Sequence, residues 1–194
     1  MTDDHDHHAD DGGHDHADHE GHDHGHEVPP LTAGQHREQG VILFNRVWEM
    51  LETPDRTPAD DDQMVHAAHA SRWHWSQAGE AGGSQQLAVG EWQCARVYAV
   101  VGRGEPALHH ARACLTICEE AGLGDWVLAA AHEALARGSA VAGDLEQAGA
   151  WLERARASVA RIAELEDREV IEADLASIAA MPLLGGQAAG GSSS

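Results

Sequence analysis

The chain has no lysine, one phenylalanine, one tyrosine, three cysteines and six prolines in 194 residues. Without lysine there is neither a Schiff-base amine nor a P-loop lysine to reach a phosphate. No GxGxxG follows a strand pattern, and Walker A and GxSxG sequences are missing too. Cys94, Cys114 and Cys118 are an odd, sparse set with no CxxC pair, which argues against a disulfide framework and for reduced thiols in the cytoplasm. No apolar run is long enough to span a bilayer, and the first residues have neither a basic nor an apolar signal region. A membrane location and secretion are therefore not expected.

What is abundant is acid and histidine. The formal charge is −21, and ten of the 33 acids lie in the first 27 residues. The other 23 acids face all twelve arginines, so the rest of the chain is about −11. That field repels phosphate backbones, which makes nucleic acid an unsuitable partner. Nine of the 16 histidines are crowded among the tail's acids: His5, His7, His8, His14, His16, His19, His22, His24 and His26. Such a composition cannot bury a core and predicts disorder over residues 1–30. It is not a plain oligohistidine run. Imidazoles with neighbouring carboxylates suit zinc, nickel or copper, each site drawing on a few side chains. Because binding needs neutral imidazole, the tail is expected to release metal as pH falls through about 6.5. A merely solubilising acidic tail is the plainer alternative.

Residues 31–181 read as all-α. Alanine, leucine, arginine and glutamate dominate, and apolar residues recur at three and four. Breakers divide this stretch into about seven helices. The expected spans run from about Thr32 to Glu52, from the Asp60–Asp62 caps through Trp75, and from a Ser84 cap to Val101. The next ends near Gly122 with Pro106 near its first turn. The last three run from an Asp125 cap to about Ala142, from Asp144 to about Leu165, and from about Asp167 to Ala180. Short loops imply antiparallel hairpins. Residues 182–194 are Gly/Ser-rich and are expected to be disordered.

An internal repeat runs through the middle of the domain. Ala95, Tyr98, Gly102, Ala107, Ala111 and Cys114 recur, 41 residues on, as Ala136, Ser139, Gly143, Ala148, Leu152 and Ala155. Small residues fall where two helices approach, and a glycine closes the turn. This pattern resembles the tetratricopeptide repeat, although its period exceeds the usual 34 residues and the first-helix tryptophan is absent from its expected place. Three further segments are similar to a bacterial group of tetratricopeptide-like proteins with no assigned activity. These are His66 to Ser71 with His74-Trp75, Gly90 to Gln93 with Arg96 to Tyr98, and Glu105 to Leu108 with His110 to Arg112. The resemblance implies a short solenoid of stacked helical hairpins, with a groove that takes a protein or peptide.

Ionisable residues also fall on helix faces expected to be buried. His66 and His69 are one turn apart on a stripe continued by Trp73. Glu91 shares a face with Leu87, Cys94, Tyr98 and Val101, where an unpaired carboxylate is costly. His110 borders Ala107, Cys114 and Ile117, and His132 lies with Leu128, Ala131 and Leu135. One reading is a metal site of His66, His69, Glu91 and either His110 or His132. The other is a hydrogen-bonded polar layer in which Glu91 accepts from a histidine, Arg96 or Tyr98. Cys114 and Cys118 read as small hydrophobes; a Cys–His pair with His110 is the reactive alternative. Trp75 and Trp92 fall off their main stripes, as exposed anchors for a partner or as padding at a helix junction.

Together these features point to a non-enzymatic, cytoplasmic helical-repeat scaffold with a metal-binding arm that buffers or delivers zinc, nickel or copper. The rivals are a helical-bundle metalloenzyme using the interior His/Glu cluster, and a plain interaction module with no metal role. Oligomeric state and partner identity are not legible.

Overall fold

The structure, a computed structural model, describes residues 29–181. Among these residues there are seven α-helices and no strand: α1 Ala33–Glu52, α2 Pro58–Gln77, α3 Ser84–Val100, α4 Gly104–Ala121, α5 Asp125–Val141, α6 Leu145–Val159 and α7 Leu165–Ala179. A 3₁₀ turn, Gly79–Gly82, joins α2 to α3. No described helix is long and apolar enough to cross a membrane. The nine tail histidines and the Gly/Ser-rich end lie outside the described residues.

Helix ends follow local chemistry. Thr32 and Gln35 form a capping box at α1: the Thr32 side chain accepts from the Gln35 amide, and the Gln35 side chain accepts from the Thr32 amide at 2.8 Å. α2 begins at Pro58, before the expected Asp60–Asp62 caps. Thr57 is the cap, and Asp60 accepts from its amide at 2.9 Å. Pro58 therefore opens α2 as well as separating it from α1, because a proline at the first helical position forfeits no hydrogen bond. Gly83, rather than Ser84, precedes α3. Asp125 is likewise the first residue of its helix and not the cap; its φ is +54°, and its carboxylate accepts from the Ala163 amide at 3.3 Å. α6 stops at Val159, short of the expected Leu165. The turn that follows buries Ile162, whose carbonyl accepts from Arg168 of α7.

The repeat is visible in the backbone. α3 and α5 begin 41 residues apart, as do α4 and α6. The turns close on Gly102 and Gly143, with φ of +74° and +81°. Only glycine enters that region without steric cost.

Each helix packs on its sequence neighbour, in pairs α1–α2, α3–α4 and α5–α6 joined by short loops. The odd helices also touch, α3 with α5 and α5 with α7. α5 is thus the central helix, and every residue from Glu133 to Ala140 is buried. The main core gathers Trp92, Val127, Leu135, Leu152, Ile171 and Ile178 from α3, α5, α6 and α7. A second cluster joins Val47, Met64, Ala68, Cys94 and Val97 of α1 to α3. Each large aliphatic side chain so buried contributes roughly 1.5–3 kcal/mol.

Candidate functional site

The most chemically loaded place among the described residues lies where α2, α3 and α4 meet. Glu91 sits at its centre. Arg72 Nε donates to Glu91 Oε1 at 2.9 Å, and His110 Nδ1 is hydrogen-bonded to Oε2 at 2.7 Å. The Glu91 side chain is 12% exposed. Arg72 reaches across because Gly90 has no side chain: a Cβ there would lie 2.7 Å from Arg72 Cδ. Tyr98 stacks on the His110 ring at 5.4 Å between centroids, and its hydroxyl bonds His69 Nε2 at 2.9 Å.

The electrostatics follow from these partners. Burial alone would raise the Glu91 carboxyl, but the His110 hydrogen bond and the Arg72 charge outweigh it and hold the group below its ordinary value. The His69 imidazole is pushed down, first by desolvation and then by the neighbouring His110. The cluster is a paired polar layer: one carboxylate with two donors, and a tyrosine bridging two imidazoles.

Of the five interior residues read as possible ligands, the fold brings together His69, Glu91 and His110. His66 and His69, one turn apart on a face expected to be buried, are both exposed, and His69 reaches the cluster through its bond to Tyr98. His132 lies elsewhere, on the α5–α6 hairpin, with Nδ1 bonded to Ser158 Oγ at 2.9 Å and its ring stacked on Trp151. Its imidazole is held low by burial and by Arg154. Among the described residues no three His, Cys, Asp or Glu side chains are arranged to hold a metal ion.

The stripe of α2 expected to be buried, His66, His69 and Trp73, lies on nearly the opposite side of the helix from the real one. Met64, Ala68 and Ser71 face inward, while Trp73 is 54% exposed. His36 and His74 form a second imidazole pair, with Nδ1 atoms 2.9 Å apart, beside Trp73. Burial and the His36 charge keep His74 low.

The three cysteines are interior and unpaired. Burial pushes the Cys94 thiol up to about 12. The neighbouring Cys118 thiol, together with burial, raises Cys114. Neither thiol is available as thiolate at neutral pH.

A second network was not anticipated. Glu133, 0% exposed, accepts from Arg137 Nε at 2.7 Å, Arg96 Nη2 at 3.3 Å and Trp92 Nε1 at 3.4 Å. Arg96 also pairs with Asp174 of α7, and Arg137 donates to Ser177 Oγ at 2.9 Å. The signal for it was in the repeat: a 41-residue shift places Trp92 over Glu133 and Arg96 over Arg137.

This network underlies a cleft. A cavity of about 400 Å³ opens between α1 and α7, above α3 and α5, lined by Phe44, Trp48, Trp92, Trp126, Asp167 and Val170 among others. A neighbouring cavity of about 270 Å³ shares Phe44 and Trp126 and adds Trp75. Trp92, one of the two tryptophans read as a possible exposed anchor, is 7% exposed and belongs to the core. Trp75 is half-buried against Gly40, where a Cβ would come within 3.1 Å of the indole. Trp75 thus fills the α1–α2 junction while presenting an edge to the second cavity.

No protein-family model, curated protein or solved structure matches this chain.

Proposed function

We propose that this protein is a non-enzymatic binding scaffold: a short tetratricopeptide-like solenoid that takes a peptide in the cleft of its odd-numbered helices and carries a histidine-rich arm for zinc, nickel or copper. The observation that carries this reading is how the histidines are used. Nine stand among carboxylates in the first 26 residues. In the body, His69, His110, His132 and the His36–His74 pair are engaged in hydrogen bonds within the fold. Among the described residues no three His, Cys, Asp or Glu side chains are arranged to hold an ion, so we assign the metal capacity to the arm.

The solenoid reading is supported by the 41-residue frame shared by two hairpins, by their matching left-handed glycine turns, and by contacts running α3 to α5 to α7. An aromatic cleft on that side is where such stacks offer a binding surface.

Calorimetric titration of zinc and nickel into the full chain and into a variant lacking residues 1–27 tests the metal half. Several sites are expected in the first and none in the second, with binding fading below about pH 6.5 as the imidazoles protonate. Equal stoichiometry in the two proteins would overturn the assignment to the arm.

A further inference from the structure

The chain has only eight Phe, Tyr and Trp residues. Four of them, Phe44, Trp48, Trp92 and Trp126, line the cleft between α1 and α7. They form a continuous strip: Phe44 to Trp48 is 6.1 Å between centroids, Trp48 to Trp92 is 5.4 Å and Trp92 to Trp126 is 6.4 Å. The opposite wall, α7, contributes two carboxylates and Val170, which is 58% exposed. Asp174 is already committed to Arg96. Asp167 makes no ion pair among the described residues.

We infer that this cleft seats a basic peptide segment, whose long cationic side chain lies along the indole strip and directs its charge to Asp167. This deepens the peptide-binding reading above and rests on it. Aromatic faces attract cations through their quadrupole, and the attraction grows where water is excluded. The protein already uses that chemistry on the cleft floor, where the Arg96 guanidinium sits 6.0 Å from the Trp92 ring centre. The aliphatic stem of an arginine or lysine suits the apolar part of the strip. Charge selects the sign: the whole chain is −21, so an acidic segment meets repulsion on approach and a basic one is steered in.

The test uses the full chain in the presence of EDTA, so that metal on the arm plays no part. Three short peptides alternate leucine with lysine, glutamine or glutamate, and binding is read from tryptophan fluorescence. The lysine peptide is expected to bind about tenfold more tightly than the other two. Asp167→Asn is expected to weaken it about fivefold, while Glu120→Gln, an exposed change on α4, leaves it unchanged. Val170→Arg, which brings a cation into the cleft from an exposed position, is expected to abolish it. Equal losses from Asp167→Asn and Glu120→Gln would reveal diffuse surface attraction and overturn the inference. Equal binding of the glutamine peptide, abolished by Val170→Arg, would overturn the preference for a basic partner while leaving the peptide-binding cleft standing. If no peptide moves the fluorescence, both readings fall.

Discussion

The hairpins α3–α4 and α5–α6 are built on one frame and filled with different chemistry. Position for position, Glu91 of the first corresponds to His132 of the second, and His110 corresponds to Trp151. In the first hairpin the inter-helix contact is a carboxylate–imidazole hydrogen bond at 2.7 Å, buttressed by Arg72 from α2. In the second it is an imidazole stacked on an indole at 5.7 Å, with Ser158 as hydrogen-bond partner. The two turns are closed by glycines and the frame by small residues, so the larger side chains between the helices can differ. The first hairpin has α2 on its outer side and can complete an ionic layer there. Between its own two helices the second uses stacking and a neutral hydrogen bond, while its Glu133–Arg137 ion pair engages Arg96 of α3 and Ser177 of α7.

The largest expected effect is where the two hairpins are joined. Glu133→Ala leaves Arg96 and Arg137 as buried charges, and a loss of about 3–5 kcal/mol is expected in urea denaturation. A loss below about 1 kcal/mol would mean that Asp174 alone satisfies both arginines. Glu91→Ala comes next. Its partners are partly open to solvent, so a smaller loss of about 1–3 kcal/mol is expected, and parity with Glu133→Ala would erase the distinction between the ionic layers. The equivalent change in the second hairpin, His132→Ala, removes one neutral hydrogen bond and one stacking contact, for about 1 kcal/mol. Should it cost more than Glu91→Ala, the ranking of the two hairpins is wrong.

A smaller effect, but one that separates the hairpins by chemistry, is the response to pH. The Glu91 carboxyl is held below its ordinary value in the folded state, so its contribution is complete above about pH 4.5 and is lost as pH falls through the depressed value. The stability difference between the natural protein and Glu91→Gln is therefore expected to stay flat from pH 6 to 8 and shrink in acid. His132 is also held below its ordinary value of 6.5, so its neutral form favours the fold and stability drains as pH drops from 6.5 toward the folded value. Comparing His132→Ala with the natural protein between pH 7 and 5 is expected to show the gap closing. A gap that widens on acidification would reverse the sign assigned to His132.

The helical class and most breaks were legible in the sequence because glycine and proline act locally. Gly102 and Gly143 mark their turns, and Gly122 ends α4 with φ of +63°. Glu91 was legible as a carboxylate needing a histidine or arginine partner, but His110, read only as a possible fellow ligand, is the histidine that bonds it, and Arg96 and Tyr98 are engaged elsewhere. Arg72 was not legible as a partner, because its reach depends on Gly90 leaving space on a different helix. The face of α2 was misjudged because alanine, histidine and tryptophan all tolerate either side; packing of Met64 against the second core cluster decides it. Glu133 went unnoticed because it lies beside His132 on a helix buried nearly all round, where periodicity carries no information about direction. Trp92 appeared off-stripe for a related reason: α3 is packed between α4 and α5 as well as α2, so it buries more than one face.

The central proposal is that the hydrogen-bonded imidazoles His69, His110 and His132 serve the fold while those of the arm bind metal. Side-chain nitrogen NMR of the histidines during zinc titration tests it most directly. The account predicts that signals of His5 to His26 shift or broaden while those of His69, His110 and His132 stay in place. Movement of the His69 and His110 signals at the first equivalent of zinc, ahead of the arm, would contradict it.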